Sequence, residues 1–217
     1  MNTMMRILPV MALHFLVMQA NAQGPGTPRT LFGDSTELTG VYFSMSARYT
    51  NVLSTDVVDW GFGLAAVVNH KLNLGLAGAW STSVLKNPAY QQYLVDGGQT
   101  NDLSGLELKY GYGGLLVEPL LFHRSAVHVA LPVIIGVGGI NYSYPAPNGN
   151  NSQRNRVDGQ AFFALEPGLE VELSVVGPLR VGFGGSYLFT SDISLPETPP
   201  DVLRTAMARM TLKFGSF

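Results

Sequence analysis

The sequence contains no cysteine among its 217 residues. This absence excludes disulfide bonds, zinc sites built on thiolates and the lipid-modified cysteine of a lipoprotein anchor. Charged residues make up 13% of the chain, whereas an average globular protein has roughly 25%. The formal net charge of −2 gives no support for a nucleic-acid surface, because such surfaces carry a basic excess.

The sequence also lacks long apolar runs after its N-terminal segment. Residues 1–22 have the pattern of an export signal, with Arg6, the apolar segment Ile7–Met18 and a small-x-small site at Ala20-Asn21-Ala22. The apolar segment is shorter than the roughly 20 residues that span a bilayer, so we expect cleavage after Ala22. A polar periplasmic lead is expected over residues 23–36. Nothing later in the chain has the apolar length of a membrane-spanning helix.

The body of the chain has a period of two instead. In the first segment, Val41, Phe43 and Met45 alternate with Tyr42, Ser44 and Ser46, which is the pattern of a strand with two different faces. The same pattern predicts eight strands, within residues 41–50, 57–68, 72–81, 106–117, 127–139, 160–173, 179–189 and 204–214. Pro132 and Pro167 lie inside two of them and should mark bulges or interrupted ladders, because proline cannot donate to a neighbouring strand.

The connections between these strands alternate in length. Short connections follow the second, fourth and sixth strands, whereas long polar ones follow the third, fifth and seventh. Short turns at one end and long loops at the other are typical of an outer-membrane barrel, with the turns in the periplasm.

The two faces differ in composition, and this difference decides which of them meets lipid. One face is apolar and carries aromatic residues near strand ends, which favours an outer wall with interfacial girdles. The predicted girdle residues are Tyr49, Trp60, Trp80, Tyr110, Tyr187, Phe189 and Phe214. The opposite face holds glycines and charges, as suits the narrow lumen of an eight-stranded barrel. A soluble barrel with its apolar face turned inward is the alternative.

Charges of both signs fall on the predicted inner face. An isolated buried ion costs several kcal/mol, so we expect these groups to pair. The turn-side cluster is predicted to contain Glu170, Glu172, Arg180, Arg209 and Lys213. The charges on the extracellular side of the lumen are predicted to be Arg48, Asp59, Glu107 and Lys109. Such a cluster is either a static ion-pair core or a gate whose pairs exchange.

Four motifs carry a family resemblance: GYGGLLVEP, EPGLEVEL, RVGFGGSYLF and LKFGSF. They resemble the small eight-stranded outer-membrane β-barrel proteins of Gram-negative bacteria, a group without assigned activity. The resemblance implies an all-β, antiparallel, up-and-down transmembrane barrel over residues 37–217, in the cell outer membrane after export through the inner membrane. It also implies contact with outer-membrane lipid and lipopolysaccharide, and with the barrel assembly machinery, for which Phe217 resembles the terminal aromatic signal.

The sequence supports no enzymatic activity, and we expect no catalytic, cofactor-binding or metal-binding residues. A lipid A deacylase would need His beside Ser and an acidic residue on the lipid-facing wall, but His70 and His123 fall in predicted turns and His128 points inward. We therefore expect a structural or surface-interaction role, with an unidentified surface ligand. A narrow channel for small or hydrophobic solutes and a soluble periplasmic lipid-binding barrel are the alternatives.

Overall fold

The structure, a computed structural model, describes residues 37–99, 103, 105–145 and 154–217. The predicted export signal over residues 1–22 and the predicted lead over residues 23–36 lie outside the described residues. Within the described part of the chain, no helix has the length and hydropathy that crossing a membrane requires.

Strands make up most of the described chain, with one helix between the third and fourth. The elements are β1 (Leu38–Val52), β2 (Thr55–Val68), β3 (Leu72–Ser81), α1 (Pro88–Asp96), β4 (Glu107–Leu121), β5 (Val127–Ala130), β6 (Val133–Pro145), β7 (Arg154–Val176), β8 (Leu179–Thr190) and β9 (Thr205–Gly215).

The strands close into a ring in which every neighbouring pair is antiparallel. β1 pairs with β2 on one side and with β9 on the other, and β3 pairs with β4. The short strand β5 and the strand β6 both lie between β4 and β7, so together they occupy one position in the ring. The ring therefore has eight positions, and the predicted eight-stranded up-and-down barrel is confirmed.

Both internal prolines fall where pairing is broken. Pro132 lies in the gap between β5 and β6, where its carbonyl still accepts the Gly168 N–H at 2.7 Å. Pro167 lies within β7, and the ladder to β8 passes from the Leu165–Phe189 pair directly to the Gly168–Ser186 pair. The missing donors thus appear as local gaps in an otherwise continuous sheet, as the sequence predicts.

The ring is polar inside and apolar outside. Along β1, Phe43, Met45 and Tyr49 are exposed on the outer wall, whereas Tyr42 and Arg48 are buried in the lumen. The same alternation holds along β2 and β9. Because the exposed face is the apolar one, the structure argues against the alternative of a soluble barrel with its apolar face turned inward.

Strand β4 corrects the sequence-based assignment of its two faces. Glu107 and Lys109 were expected in the lumen, but they lie on the outer face, whereas Leu108, Tyr110 and Tyr112 are buried inside. The tyrosines face inward because their hydroxyls bond to carboxylates across the lumen, which an apolar lipid wall could not offer. Tyr110 is consequently not part of the outer aromatic girdle, and the other six predicted girdle residues are exposed on the outer wall.

The connections define two ends of the barrel. The turn end carries residues 69–71, 122–126 and 177–178, together with the start of β1 and the end of β9. The loop end carries residues 82–99, which include α1, residues 103 and 105–106, residues 191–204, and the two-residue turn Leu53–Ser54. Both residues of that turn have positive φ, 51° and 59°, as the turns of tight hairpins require.

Glycine is required where β4 and β6 pair through Gly114 and Gly136. A Cβ on Gly136 would overlap the backbone of Gly113 and Gly114, whereas a Cβ on Gly177, in the turn between β7 and β8, would meet nothing within 4 Å. The strand pair therefore cannot accept a methyl group without separating.

We expect Gly136→Ala to lower the free energy of unfolding by about 1–3 kcal/mol, because added atoms in a packed core displace their neighbours. Gly177→Ala is the matched control and should stay within about 0.5 kcal/mol of the parent. Urea unfolding of the barrel in lipid vesicles measures both. Equal losses for the two variants would contradict the close approach at Gly136.

Candidate functional site

An ion-pair network fills the turn half of the lumen. Lys213 of β9 pairs with Glu172 of β7, and its Nζ lies 2.6 Å from Oε1 of Glu118. Arg209 Nε lies 2.5 Å from Glu170 Oε1. The structure thus brings together four residues of the predicted turn-side cluster, in two pairs that join β9 to β7.

Arg180, the fifth predicted member, has different partners. Its guanidinium lies 3.8 Å from the centre of the Phe217 ring, and Nη1 lies 3.4 Å from His128 Nε2. Among the ion pairs of the described residues, none joins Arg180 to a carboxylate. His128 Nε2 in turn bonds to Glu172 Oε2 at 2.9 Å, so this histidine links Arg180 to the network.

Glu118 is the residue of this network that the sequence interpretation missed. It is fully buried, and Oε1 accepts hydrogen bonds from Tyr42 at 2.9 Å and from Asn73 Nδ2 at 2.5 Å. The sequence does contain a signal for Glu118, because it falls on the same face of β4 as Tyr110 and Tyr112. A carboxylate on that face would have marked it as the lumen face of β4.

A second group of charges lies at mid-height around Glu166. Arg48 Nη1 lies 3.4 Å from its Oε2 and Arg209 Nη1 lies 3.6 Å from its Oε1. The hydroxyls of Tyr112 and Ser186 each donate to this carboxylate at 2.8 Å. Glu166 is therefore held by two cations and two hydroxyls, which satisfies a fully buried carboxylate.

The four residues predicted on the extracellular side of the lumen separate into two pairs. Arg48 and Asp59 are neighbours in the register of β1 and β2, and both are buried in the lumen. Asp59 Oδ2 accepts from the Tyr110 hydroxyl at 2.8 Å. On the outer face, Glu107 instead pairs with Lys109 and with Arg154, each at 3.3 Å, and does not belong to the lumen network.

The charges inside the barrel nearly balance. Between the turn end and the lid, the buried or half-buried lumen charges of the described residues are the carboxylates Asp59, Glu118, Glu166, Glu170 and Glu172 and the cations Arg48, Arg180, Arg209 and Lys213, and the half-buried Asp158 bonds to Tyr90 of the lid. Such mutual pairing favours a static ion-pair core over an exchanging gate, because separating any pair would leave a buried charge without a partner.

The loop half of the lumen is packed with apolar and aromatic side chains. Those with no more than 3% exposure include Val57, Ala79, Leu85, Tyr90, Leu108, Ile140, Tyr142, Phe162, Leu188, Ile193, Leu203 and Met207. Several of them come from the long connections, and not from strands. The loop-end connections thus contribute side chains to the core of the barrel.

These connections form a lid, which we define as residues 82–99 with residues 191–204. Asn87 caps α1 by accepting from Tyr90 N–H at 3.3 Å, and its Nδ2 donates to the Tyr142 hydroxyl at 2.7 Å and to the Glu197 carbonyl at 2.8 Å. One side chain therefore joins α1, β6 and the connection between β8 and β9.

Tyr90 fixes the helix of the lid onto the barrel. Its ring stacks on Tyr142 with centroids 3.7 Å apart and planes 8° apart, and its hydroxyl bonds to Asp158 of β7. Burial, followed by the hydrogen bond to Asp158, raises the pKa of the Tyr90 phenol. The phenol therefore remains a hydrogen-bond donor at any physiological pH.

Phe217 packs at the opposite end. Its ring stacks on Tyr42, with centroids 5.5 Å apart, and covers Arg180, whereas Phe214 is exposed on the outer wall. Phe217 therefore helps to close the turn end of the lumen. Its role in assembly stays a prediction.

The described residues contain no cluster of three or more His, Asp or Glu side chains placed to hold a metal ion. Comparison of the sequence with protein-family models and with curated proteins gives no match.

Comparison of the fold with solved structures gives clear similarities. The crystal structure of Neisserial surface protein A superposes with a TM-score of 0.51 at 10% identity, over 83% of this chain and 99% of that one. The N-terminal β-barrel domain of Pseudomonas aeruginosa OprF gives a TM-score of 0.48 at 9% identity, over 82% of this chain and 97% of that one. At such low identity the likeness shows the fold alone. The chain has the fold of the small eight-stranded outer-membrane β-barrels.

We expect Lys213→Met to destabilise the barrel by about 3–5 kcal/mol, because Glu118 and Glu172 would remain buried without their shared cation. Lys109→Met, which removes an exposed partner of Glu107, is the matched control and should cost about 0–1 kcal/mol. Urea unfolding in vesicles measures both variants. Adding Glu118→Gln and Glu172→Gln to Lys213→Met should recover part of the loss, and a further loss in this triple variant would contradict the pairing.

We expect Tyr90→Ala to loosen the lid by on the order of 2 kcal/mol, since it removes both the ring stack and the bond to Asp158. Tryptic cleavage after Lys86, which directly precedes the helix cap, should then accelerate roughly thirtyfold while the barrel stays folded. Tyr93→Ala, at a position 47% exposed on the same helix, should leave the cleavage rate close to that of the parent. Equal rates for both variants would show that Tyr90 does not hold the lid.

Proposed function

We propose that this chain is a non-enzymatic integral protein of the outer membrane, exported through the inner membrane, with a structural or surface-interaction role. One observation carries the proposal: the lumen is filled from the turn end to the lid. Since the described lumen residues are buried from the turn end to the lid, the outer wall and the loop-end surface are the parts of the barrel that are accessible to a partner.

The filled lumen is evident from exposure. Glu170 and Glu172 in the turn half, Glu166 at mid-height, and Ile140 and Leu188 in the loop half are all fully buried. A water-filled conduit along the axis would leave the residues that line it accessible to solvent. Conduction would require the lid to move and buried ion pairs to separate, and each separation would cost several kcal/mol. The channel alternative is therefore disfavoured.

The surface of the lid supports an interaction role. Beyond the ends of the strands, Val84, Tyr93 and Val95 are 52%, 47% and 51% exposed. Exposed apolar and aromatic side chains outside the lipid-facing wall are typical of contact surfaces. The bonds of Asn87 and Tyr90 hold this surface in one arrangement before any partner arrives, which lowers the entropic cost of binding.

The described histidines do not support hydrolysis. His70 and His123 lie in turns, and the buried His128 contacts Glu172 and Arg180. An acyl-transfer site needs a nucleophile within hydrogen-bond reach of its base, and here the ring nitrogen that makes contacts is already engaged in the ion-pair network. The partners in this proposal are outer-membrane lipid, lipopolysaccharide and the barrel assembly machinery, with a surface ligand bound at the lid.

The location and orientation can be tested with single cysteines, because the parent sequence has none. We expect a membrane-impermeant maleimide to label Val95→Cys on intact cells, and to label Gly177→Cys only after the outer membrane is permeabilised. Both variants should appear in the outer-membrane fraction with an electrophoretic mobility that changes on boiling. Labelling of Gly177→Cys on intact cells, or recovery of the protein in the soluble periplasm, would overturn the proposal.

Flux through the same purified protein distinguishes the structural role from transport. We expect liposomes that contain the folded barrel to swell in small sugars no faster than liposomes that contain heat-denatured protein. Swelling that depends on the folded barrel would show an open path and would favour the channel.

A further inference from the structure

The turn end carries a patch of basic and aromatic side chains outside the lumen. The turn between β2 and β3 contributes His70 and Lys71, and the turn between β4 and β5 contributes Phe122, His123 and Arg124. The two turns are adjacent because β3 pairs with β4, and the Lys71 carbonyl accepts the Leu120 N–H at 2.7 Å. We call these five residues the turn-end patch.

The charge of the patch is one-sided. Residues 69–71 and 122–126 contain no aspartate or glutamate. Glu118 lies close in sequence, but it is buried in the lumen and paired with Lys213. Lys71 and Arg124 thus have no carboxylate within their own two turns. The third short connection, Gly177–Pro178, carries no charge.

His123 lies among the basic side chains of both turns. Burial first, and then the neighbouring Lys71, Arg124 and His70, lowers the pKa of its imidazole. A negatively charged group placed among these side chains would offset their mutual repulsion. The patch therefore has the electrostatics of an anion-binding surface.

Phe122 adds an apolar component directly beside the cations. It is 73% exposed and has a φ of 58°, a left-handed conformation that bulky residues rarely adopt. Leu121 and Val127, on either side of this turn, are exposed on the outer wall. The Phe122 ring thus continues the lipid-facing wall to the level of the turn, where aromatic side chains commonly lie at the headgroups.

We propose that the turn-end patch docks against the anionic phosphate headgroups of the phospholipid leaflet around this end of the barrel. Lys71 and Arg124 contact the phosphates, and Phe122 inserts at the boundary between headgroups and acyl chains. The combination of cations with an aromatic side chain is that of surfaces bound to anionic lipid. This inference rests on the proposed membrane location, and it adds a preferred lipid and a place where that lipid binds.

The test measures which lipid lies beside the turn end. The two tryptophans, Trp60 and Trp80, pair with each other near the loop end, so a background with Trp60→Phe and Trp80→Phe removes their signal. Leu121→Trp then reports from the turn end without altering the patch. The barrel is reconstituted in phosphatidylcholine vesicles that contain an equal fraction of either brominated phosphatidylglycerol or brominated phosphatidylcholine.

We expect brominated phosphatidylglycerol to quench the tryptophan more strongly than brominated phosphatidylcholine. The preference should fall about fivefold for each cation removed in Lys71→Gln with Arg124→Gln, and it should weaken as salt is added. The matched control is Lys86→Gln with Lys109→Gln, which removes the same charge near the loop end and should leave the preference unchanged.

The inference would be overturned by equal quenching by both lipids in the parent, or by a preference that survives loss of Lys71 and Arg124. Reversal of the preference by inorganic phosphate at constant ionic strength would also overturn it, since it would identify a site for free phosphate. Absence of quenching by either lipid would show that the barrel is not in the bilayer, which is the failure of the proposed function itself.

Discussion

The structure depends on the ion pairs inside the ring, where Arg209 and Lys213 hold the buried carboxylates of β4 and β7. A closed sheet satisfies the hydrogen-bonding groups of the backbone, because each strand has a neighbour on both sides. Closure also encloses the side chains of one face in the lumen. Between the turn end and the lid, that face holds five carboxylates and four permanent cations. The hydroxyls of Tyr42, Tyr110 and Tyr112 donate further hydrogen bonds to three of these carboxylates, so the lumen is a polar core in its turn half.

The period of two was sufficient to predict the barrel and the facing of most strands, because alternation fixes the face of every residue once one is known. It failed in β4, where tyrosines were grouped with lipid-facing residues by their apolar rings. The tyrosines face the lumen because their hydroxyls need acceptors. These acceptors, Asp59 and Glu166, lie on other strands, so the sequence of β4 alone does not show them. Glu118 was missed for the same reason, since its face had already been assigned to lipid.

The lid could not be predicted from the sequence. Asn87 and Tyr90 stand in a polar connection with no periodic pattern. The partners of Asn87, Tyr142 and Glu197, lie 55 and 110 residues away, and the partner of the Tyr90 hydroxyl, Asp158, lies 68 residues away. Local propensity carries no information about such contacts. The ion pairs of the lower lumen were easier to anticipate, because strand parity and the common turn end limit which charges can meet.

Strand β9 has a consequence for how the barrel reaches its final state. It brings Arg209 and Lys213, whose carboxylate partners lie on β4 and β7, and it also closes the ring against β1. The strand that closes the sheet is thus also the strand that brings these two cations to the buried carboxylates. Closure and neutralisation therefore occur together. A ring closed without β9 would keep Glu118, Glu170 and Glu172 buried without these cations, so such a ring is disfavoured.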